Sequence, residues 1–243
     1  MADSAATANI ALLIDADNAS HRALDPVLTV LAELGTVNIR RAYGNWRKPA
    51  LKAWADLSIA QAIQPYQQFD LTKGKNATDM RMTIDAMDML YSGRVQGFGL
   101  MSSDSDFTPL VMRIRQDGLP VYGFGAANTP EGFRQACTRF IDVGALLRSE
   151  DEPVPSADRP ARPADKAEID EALIRLITDA WKASKRDGRN FASLNEVGQR
   201  AANRSSFDKR NYGAASLSEL LSRMPNFTVE QRDDGHSYVK RVR

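Results

Sequence analysis

The stretch GLMSSDSDFTPL, residues 99–110, has the pattern of a buried strand that ends in a polar turn and continues into a helix. An apolar run at residues 98–101 is followed closely by Asp104 and Asp106. Aspartate and serine often bond to nearby backbone in turns and at helix starts. A plain turn therefore explains either acid alone, and the rest of the chain decides whether the pair does more.

Short apolar runs alternate with helical patterns between residues 9 and 145. This alternation predicts an α/β fold with a mostly parallel sheet and helices on both of its faces. Pro65 cannot donate to a strand ladder, so its strand is expected at the sheet edge. Strands are predicted at 10–15, 36–43, 62–69, 95–102, 119–125 and 139–143, and helices at 22–34, 49–60 and 78–91, the last capped by Thr78.

A proline-rich stretch at residues 149–166 predicts a semi-extended linker, because Val154 is its only large apolar residue. Residues 1–8 are expected to be disordered. Residues 167–243 show three helical patterns followed by two strands around a turn at Asp234 and Gly235, which predicts a small winged-helix-like α+β domain.

The overall composition limits the class of protein. A formal net charge of +1 over 243 residues means that any nucleic-acid role depends on local patches. One cysteine allows no internal disulfide and fits a reducing cytosol, so we expect a cytoplasmic protein. No apolar run reaches the roughly 20 residues of a membrane span, and the N-terminus does not resemble a signal peptide. Two histidines and one cysteine argue against a zinc site.

Acidic side chains collect where the predicted strands and helices meet. Asp15 ends the first strand, Asp79 opens a helix, and Asp104 and Asp106 follow a later strand. Ligands of parallel α/β sheets bind beyond the carboxyl ends of the strands. Crowded carboxylates repel one another, and Mg²⁺ or Mn²⁺, which prefer oxygen ligands, would relieve that repulsion. Such an ion polarises a phosphodiester and activates water.

Simpler interpretations stay open for several of these residues. Asp79 could merely complement the helix dipole, and Asp17 could be a solvated turn residue. Asp85 shares a helix stripe with Met82 and Met89, so it needs a partner or a cation. A supporting, salt-bridged position is favoured for Asp85 over direct metal ligation.

Candidate RNA contacts lie in two loops of the same region. Lys73 and Lys75 could hold backbone phosphates, although such lysines are usually solvated. Trp46, with Arg47 and Lys48, offers a stacking surface and two cations for a single strand. Packing of Trp46 on the adjacent helix is equally compatible with the sequence.

Three stretches together resemble the NYN domain, a branch of the PIN-like nucleases: ALLIDADN, KGKNATDMRMTIDAM and GLMSSDSDFTPLVMRIRQDGLPVYGFG. The resemblance covers most of residues 8–145 and implies a catalytic domain at 9–148 that is a metal-dependent ribonuclease using Mg²⁺ or Mn²⁺. The loop before Asp79 reads Asn-Ala-Thr where the family often has Gly-Val, which keeps the acid but alters the loop. Position by position, it implies a catalytic and metal-binding set of Asp15, Asp79, Asp104 and Asp106, supported by Asn18, Asp85 and Ser103.

Residues 167–243 resemble the LOTUS or OST-HTH domain, which is associated with RNA binding. Residues 182–243 hold 13 Lys/Arg and 7 Asp/Glu, whereas residues 1–181 hold 19 Lys/Arg and 24 Asp/Glu. The resemblance thus implies a basic RNA-binding module tethered to an acidic catalytic domain. We expect single-stranded RNA as the partner and no membrane contact, and the sequence leaves a homodimer open.

Two alternatives of other classes remain. An RNA-binding adaptor could retain the acids without effective catalysis. A haloacid-dehalogenase-type phosphatase could use Asp15 as nucleophile and Asp17 as acid, although the threonine usual in that motif is Ala19 here.

Overall fold

The computed structural model describes residues 8–69, 77–150, 169–232 and 234–242. The chain divides into two compact units between Leu147 and Arg148, and each is described by itself. Residues 1–7 and 151–168 lie outside the described ranges. The disordered N-terminus and the proline-rich linker therefore stay predictions, except that residues 149 and 150, predicted as linker, belong to a helix.

The first unit is a parallel sheet covered by helices, as the alternating sequence pattern predicts. The longest helix has 16 residues, and within the described ranges no helix is both long and apolar enough to cross a lipid bilayer. The strands are β1 (Asn9–Asp15), β2 (Thr36–Gly44), β3 (Gln64–Gln67), β4 (Gly97–Met101), β5 (Val121–Gly125) and β6 (Arg139–Asp142). The helices are α1 (Leu24–Ala32), α2 (Lys52–Ala60), α3 (Ala77–Ser92), α4 (Thr108–Gln116), α5 (Glu131–Ala136) and α6 (Val143–Glu150).

The strand order places the predicted acids at the centre of the sheet. The order is β3-β2-β1-β4-β5-β6, and each neighbouring pair is parallel. Along the chain, β1, β2 and β3 are added from the centre of the sheet toward one edge. The chain then returns to the centre, and β4, β5 and β6 are added toward the other edge. Ligands of such sheets bind in the crevice beyond the two strands where this direction reverses. Those strands are β1, which ends at Asp15, and β4, which leads into Asp104 and Asp106.

Alternating residues of β1 pack into two separate hydrophobic cores, one on each face of the sheet. Ala11 and Leu13 pack with α3, α4 and α5, whereas Leu12 and Ile14 pack with α1, α2 and α6. Strands buried on both faces read as continuous apolar runs, which is why ALLI precedes the first aspartate. Asp15 consequently leaves the sheet at a fully buried position.

Within residues 169–232 and 234–242, the second unit has three α-helices and an antiparallel sheet of order β7-β9-β8, which confirms the small C-terminal α+β domain. Leu173, Ile177 and Ala180, which share one face of its first helix, are buried in the core of this unit. The two-residue strand β7 was not predicted, since it is too short to show a period. The elements are α7 (Glu171–Ala183), β7 (Ala192–Ser193), α8 (Leu194–Arg204), α9 (Leu217–Ser222), β8 (Phe227–Gln231) and β9 (Ser237–Arg241).

The structure corrects several predicted details. Thr78 lies inside α3 instead of capping it, because its hydroxyl bonds to a side chain of another loop. The third helical pattern of the second unit predicts a helix at about 214–224, whereas the observed helix is shorter and follows a 3-10 turn at Lys209–Tyr212. The turn between β8 and β9 spans residues 232–236, since Gln231 pairs with Ser237. Gly235 supplies the positive φ of 76° in that loop.

Candidate functional site

Asp15 is the most buried acid of the candidate site. Its side chain is 0% exposed, and its Oδ2 accepts hydrogen bonds from Asn18 Nδ2 at 2.9 Å and from Ser102 Oγ at 2.8 Å. Among the described residues, nothing donates to the buried Oδ1. Burial raises the pKa of Asp15, the two hydrogen bonds lower it, and the charge of Asp17 raises it further. A buried carboxylate oxygen without a donor is unusual and fits the approach of a cation.

The loop after β4 is held by its own side chains. Ser102 Oγ accepts from the backbone N of Asp104 at 3.1 Å, and Asp104 Oδ1 accepts from the backbone N of Asp106 at 2.9 Å. Ser103 Oγ accepts from the backbone N of Ala126 at 2.8 Å and anchors the loop to the end of β5. Asp104 is thus a turn cap through one of its oxygens, as the simple interpretation expects. Asp104 is half-buried and Asp106 is exposed.

Asp79, in the first turn of α3, shows that the acids share one region. The pKa of its half-buried carboxyl rises from 3.8 to about 6, first because of desolvation and then because of four negative charges. In order of size, those charges belong to Asp15, Asp104, Asp106 and Asp17. The helix N-terminus would favour a charged Asp79, so the simple dipole interpretation predicts the opposite shift. Carboxylates from β1, α3 and the loop after β4 therefore converge.

Asp17 joins this cluster and ties three loops together. Its Oδ1 pairs with Lys48 Nζ at 2.9 Å, and its Oδ2 accepts from Thr78 Oγ1 at 3.4 Å. The interpretation of Asp17 as a solvated turn residue is therefore wrong. The ion pair with Lys48 occupies one oxygen of Asp17 and the bond from Thr78 the other, an arrangement that does not suit the general acid of the phosphatase alternative.

Asp85 lies on the same helix but is held by other partners. Its Oδ2 accepts from Arg41 Nη1 and from Tyr43 OH, each at 3.0 Å, and its Oδ1 pairs with Arg81 Nη2 at 3.2 Å. Burial, followed by the Asp85 charge, raises the pKa of Tyr43. The buried Asp85 thus fastens α3 to β2, as a salt-bridged supporting residue would.

The predicted RNA contacts prove to have different surroundings. The half-buried Trp46 donates from Nε1 to the backbone O of Tyr66 at 2.9 Å and packs against the core. Arg47 is exposed and lies over the Phe69 ring at 5.7 Å. Lys48 makes the ion pair with Asp17 described above. Lys73 and Lys75 lie in residues 70–76, outside the described ranges.

Sequence reasoning missed Ser102 and the ion pair of Lys48 with Asp17. In the parallel register Ile14 is aligned with Met101, so the next residues, Asp15 and Ser102, emerge side by side. The serine in the motif was visible, but its alignment with Asp15 depends on which strands are neighbours. Likewise, Lys48 and Asp17 are 31 positions apart in sequence.

Comparisons with known proteins agree with this division of the chain. The sequence model of the NYN domain matches residues 9–147, and that of the OST-HTH/LOTUS domain matches residues 164–239. An uncharacterised protein of Methanocaldococcus jannaschii, MJ0482, is 27% identical over 145 residues, which is 58% of this chain and 56% of the relative. The chain thus spans about half the length of that relative.

A crystal structure of a protein of unknown function from Vibrio parahaemolyticus, VPA0982, is similar with a TM-score of 0.49 and 19% identity. The similar region covers 58% of this chain and 95% of that one. The NYN match occupies more than half of the present chain and coincides with its parallel sheet. The protein therefore belongs to the NYN domain family, a branch of the PIN-like nucleases, and its NYN domain is followed by an OST-HTH/LOTUS domain.

Proposed function

We propose that this protein is a divalent-metal-dependent ribonuclease whose catalytic site is the acid cluster of the NYN domain. The observation that carries the proposal is the convergence of these acids: desolvation, and then the charges of four neighbouring aspartates, raise the pKa of Asp79 to about 6. A fold gains no stability from such repulsion, so the cluster is best explained by a cation that the acids are arranged to receive.

The donor set fits Mg²⁺ or Mn²⁺ better than other metals. All the candidate ligands are carboxylate oxygens, and the buried Oδ1 of Asp15 has no donor among the described residues. Within those same ranges, no three His, Cys, Asp or Glu side chains lie close enough together to hold an ion by themselves. Mg²⁺ commonly takes only one or two carboxylates and keeps several waters, so this arrangement is compatible with it.

Each acid has a separate part in this proposal. Asp15, Asp79 and Asp104 would surround the ion, one or two of them as direct ligands and the rest through bound water, and the exposed Asp106 would bind directly or through water. When bound, the ion supplies polarisation of the phosphodiester and an activated water. Asn18 and Ser102 orient Asp15 by their hydrogen bonds, and Ser103 fixes the loop that carries Asp104.

RNA would reach this site along the loop that follows β2. Arg47 is exposed, and Lys48 lies against Asp17 at the rim of the acid cluster. A phosphate near Lys48 would compete with Asp17 for the ammonium group. Lys73 and Lys75 remain candidate phosphate contacts on sequence grounds alone.

The second unit would supply additional affinity for single-stranded RNA. Arg232 lies over the Tyr238 ring at 4.0 Å, and Lys240 lies over the Phe191 ring at 5.8 Å. Cations beside aromatic rings are typical of single-strand binding surfaces. Arg232 also pairs with Asp187, so phosphate binding would have to displace or share that contact.

The outer face of α3 supports a homodimer. Met80, Ile84 and Tyr91 are 67%, 51% and 69% exposed, and with the half-buried Met87 they follow the 4-3-4 spacing of a coiled-coil seam. We name Met80, Ile84, Met87 and Tyr91 the α3 seam.

The decisive experiment is cleavage of labelled single-stranded RNA with Mg²⁺, Mn²⁺ or EDTA. We expect cleavage with either metal, none in EDTA, and a loss of at least about a hundredfold in Asp104→Asn, since metal binding depends on that charge. Asparagine still accepts the backbone bond from residue 106, so the turn should persist. Asp88→Asn removes an exposed aspartate of α3 and serves as control. Wild-type cleavage in EDTA, or full activity of Asp104→Asn, would refute the proposal.

A second candidate is an RNA-binding adaptor, which the absence of a three-residue ligand group among the described residues favours. The same experiment separates the two. An adaptor would bind the RNA with salt-dependent affinity and would not cleave it with any of the metals.

A further inference from the structure

An open groove of about 420 Å³ lies between α2 and β3 in the NYN domain. Its lining is mainly apolar and includes Trp46, Ala55, Ile59 and Pro65. Ile59, which is 86% exposed, extends this apolar surface into solvent. Its size falls within the range of small-ligand sites, which combine apolar walls with a few polar groups.

The groove contains a polar group that has no partner in the protein. Ser58, a residue of α2 that also lines the groove, is 2% exposed. Its Oγ makes no hydrogen bond to any described residue. Buried hydroxyls are nearly always paired, so an orphan in the wall of a groove indicates a ligand that brings a hydrogen-bonding atom.

The aromatic wall of the groove is fixed in position. Trp46 donates from its indole Nε1 to the backbone O of Tyr66 at 2.9 Å and from its backbone N to Gln67 Oε1 at 3.0 Å. Both partners belong to β3, so the ring is held against the edge of the sheet. A ring held this way can stack on a planar ligand without first losing conformational freedom.

The same loop connects the groove to the acid cluster. Two residues after Trp46, Lys48 pairs with Asp17 at 2.9 Å, and Asp17 accepts a hydrogen bond from Thr78, the residue before Asp79. The exposed Arg47 lies between Trp46 and Lys48 in sequence. The loop after β2 thus leads from the apolar groove at Trp46, past Arg47 and Lys48, to the carboxylates of the acid cluster.

We propose that the groove binds one nucleobase of single-stranded RNA, whose backbone passes Arg47 and Lys48 toward the acid cluster. This subsite rests on the proposed function, because the strand direction follows from cleavage at the acids. A base has a flat apolar face for the groove and edge groups that can bond to Ser58 Oγ. An apolar protein segment would bring no negative charge to the adjacent Arg47 and Lys48, whereas the RNA backbone does.

The test compares intact single-stranded RNA with oligonucleotides that carry one abasic site at successive positions. Affinity is measured by fluorescence anisotropy in EDTA, which prevents cleavage. For wild type, we expect one position at which base removal weakens binding about tenfold, a size typical of one stacked base. Ala55→Phe fills the groove. This variant should bind intact RNA as weakly as wild type binds that abasic RNA, and removal of the base should not weaken its binding further.

Two further variants keep the test sharp. Ser58→Ala removes only the orphan hydroxyl, so it should unfold at no lower temperature than wild type and should reduce the abasic difference. Ala60→Phe adds the same ring at an exposed position of α2 outside the groove lining and should behave as wild type.

The outcomes separate the subsite from the proposed function. An abasic difference that persists in Ala55→Phe and Ser58→Ala overturns the base subsite and leaves the groove to a protein segment. If the abasic difference persists in both variants but wild type cleaves RNA, the base subsite is overturned and the nuclease proposal stands. A base-dependent difference without any cleavage supports the subsite and contradicts the nuclease. A wild-type protein that binds no RNA overturns both.

Discussion

Replacing Asp79 with asparagine should stabilise the metal-free protein at neutral pH. Most substitutions of half-buried polar residues destabilise the folded protein, so an increase in the free energy of unfolding would be informative. The carboxyl of Asp79 has a pKa of about 6 instead of 3.8, because of desolvation and then of the charges of Asp15, Asp104, Asp106 and Asp17. Asparagine has nearly the same shape and carries no charge, so both penalties disappear.

The magnitude follows from the pKa difference. Each pKa unit is worth about 1.4 kcal/mol, so a rise from 3.8 to about 6 sets an upper limit of about 3 kcal/mol. Asp79 is only half-buried, and solvent screening reduces the expected gain to about 1 kcal/mol. For a domain of this size, that gain raises the melting temperature by about 2–4 °C.

The pH dependence has a definite direction. The folded protein holds the Asp79 proton more tightly than the unfolded chain does, so stability from this group is present below about pH 4 and is lost as the pH rises through about 6. The advantage of Asp79→Asn should therefore be small near pH 4.5 and complete near pH 8.

The assay is thermal unfolding in EDTA between about pH 4.5 and pH 8. Asp88→Asn is the matched control, because it removes an exposed carboxylate nine residues along α3, on the opposite face of the helix. Excess Mn²⁺ should stabilise wild type more than Asp79→Asn and reduce or reverse the difference. An advantage that is independent of pH, that grows toward acid, or that Asp88→Asn shares would refute the electrostatic reasoning.

Three further predictions concern other parts of the chain. Asp85→Ala leaves the cations of Arg41 and Arg81 without their acid and should lower the free energy of unfolding by roughly 3 kcal/mol. Urea denaturation measures this loss, and a loss below about 1 kcal/mol would contradict the buried ion pair. Ile84→Glu in the α3 seam should make a dimeric protein monomeric in light scattering, and a wild type that is already monomeric at about 100 μM would contradict the seam. Lys240→Gln should weaken RNA binding about equally for all sequences and reduce the slope of log affinity against log salt by about one, whereas an unchanged slope would exclude this lysine from the phosphate contacts.

The sequence alone determined the kind of fold and the chemistry available to it. Runs such as ALLI and GLM are apolar on both faces of a strand, so they specify buried parallel strands, and the following aspartates must emerge at strand ends. These are local features, because a two-residue or 3.6-residue period and the polarity of the next turn are readable within a short window. The parallel sheet and the small C-terminal domain were predicted correctly for this reason.

Tertiary structure alone decided which acids meet. Asp79 and Asp85 are six residues apart on one helix but have different neighbours. Asp79 lies among the aspartates that follow β1 and β4, whereas Asp85 is held by Arg41 and Tyr43 of β2. The difference depends on β1 and β4 being neighbours and on the angular position of each residue around α3. Strand neighbours and helix orientation are set by packing between segments that are far apart in sequence. The pairing of Lys48 with Asp17 has the same origin.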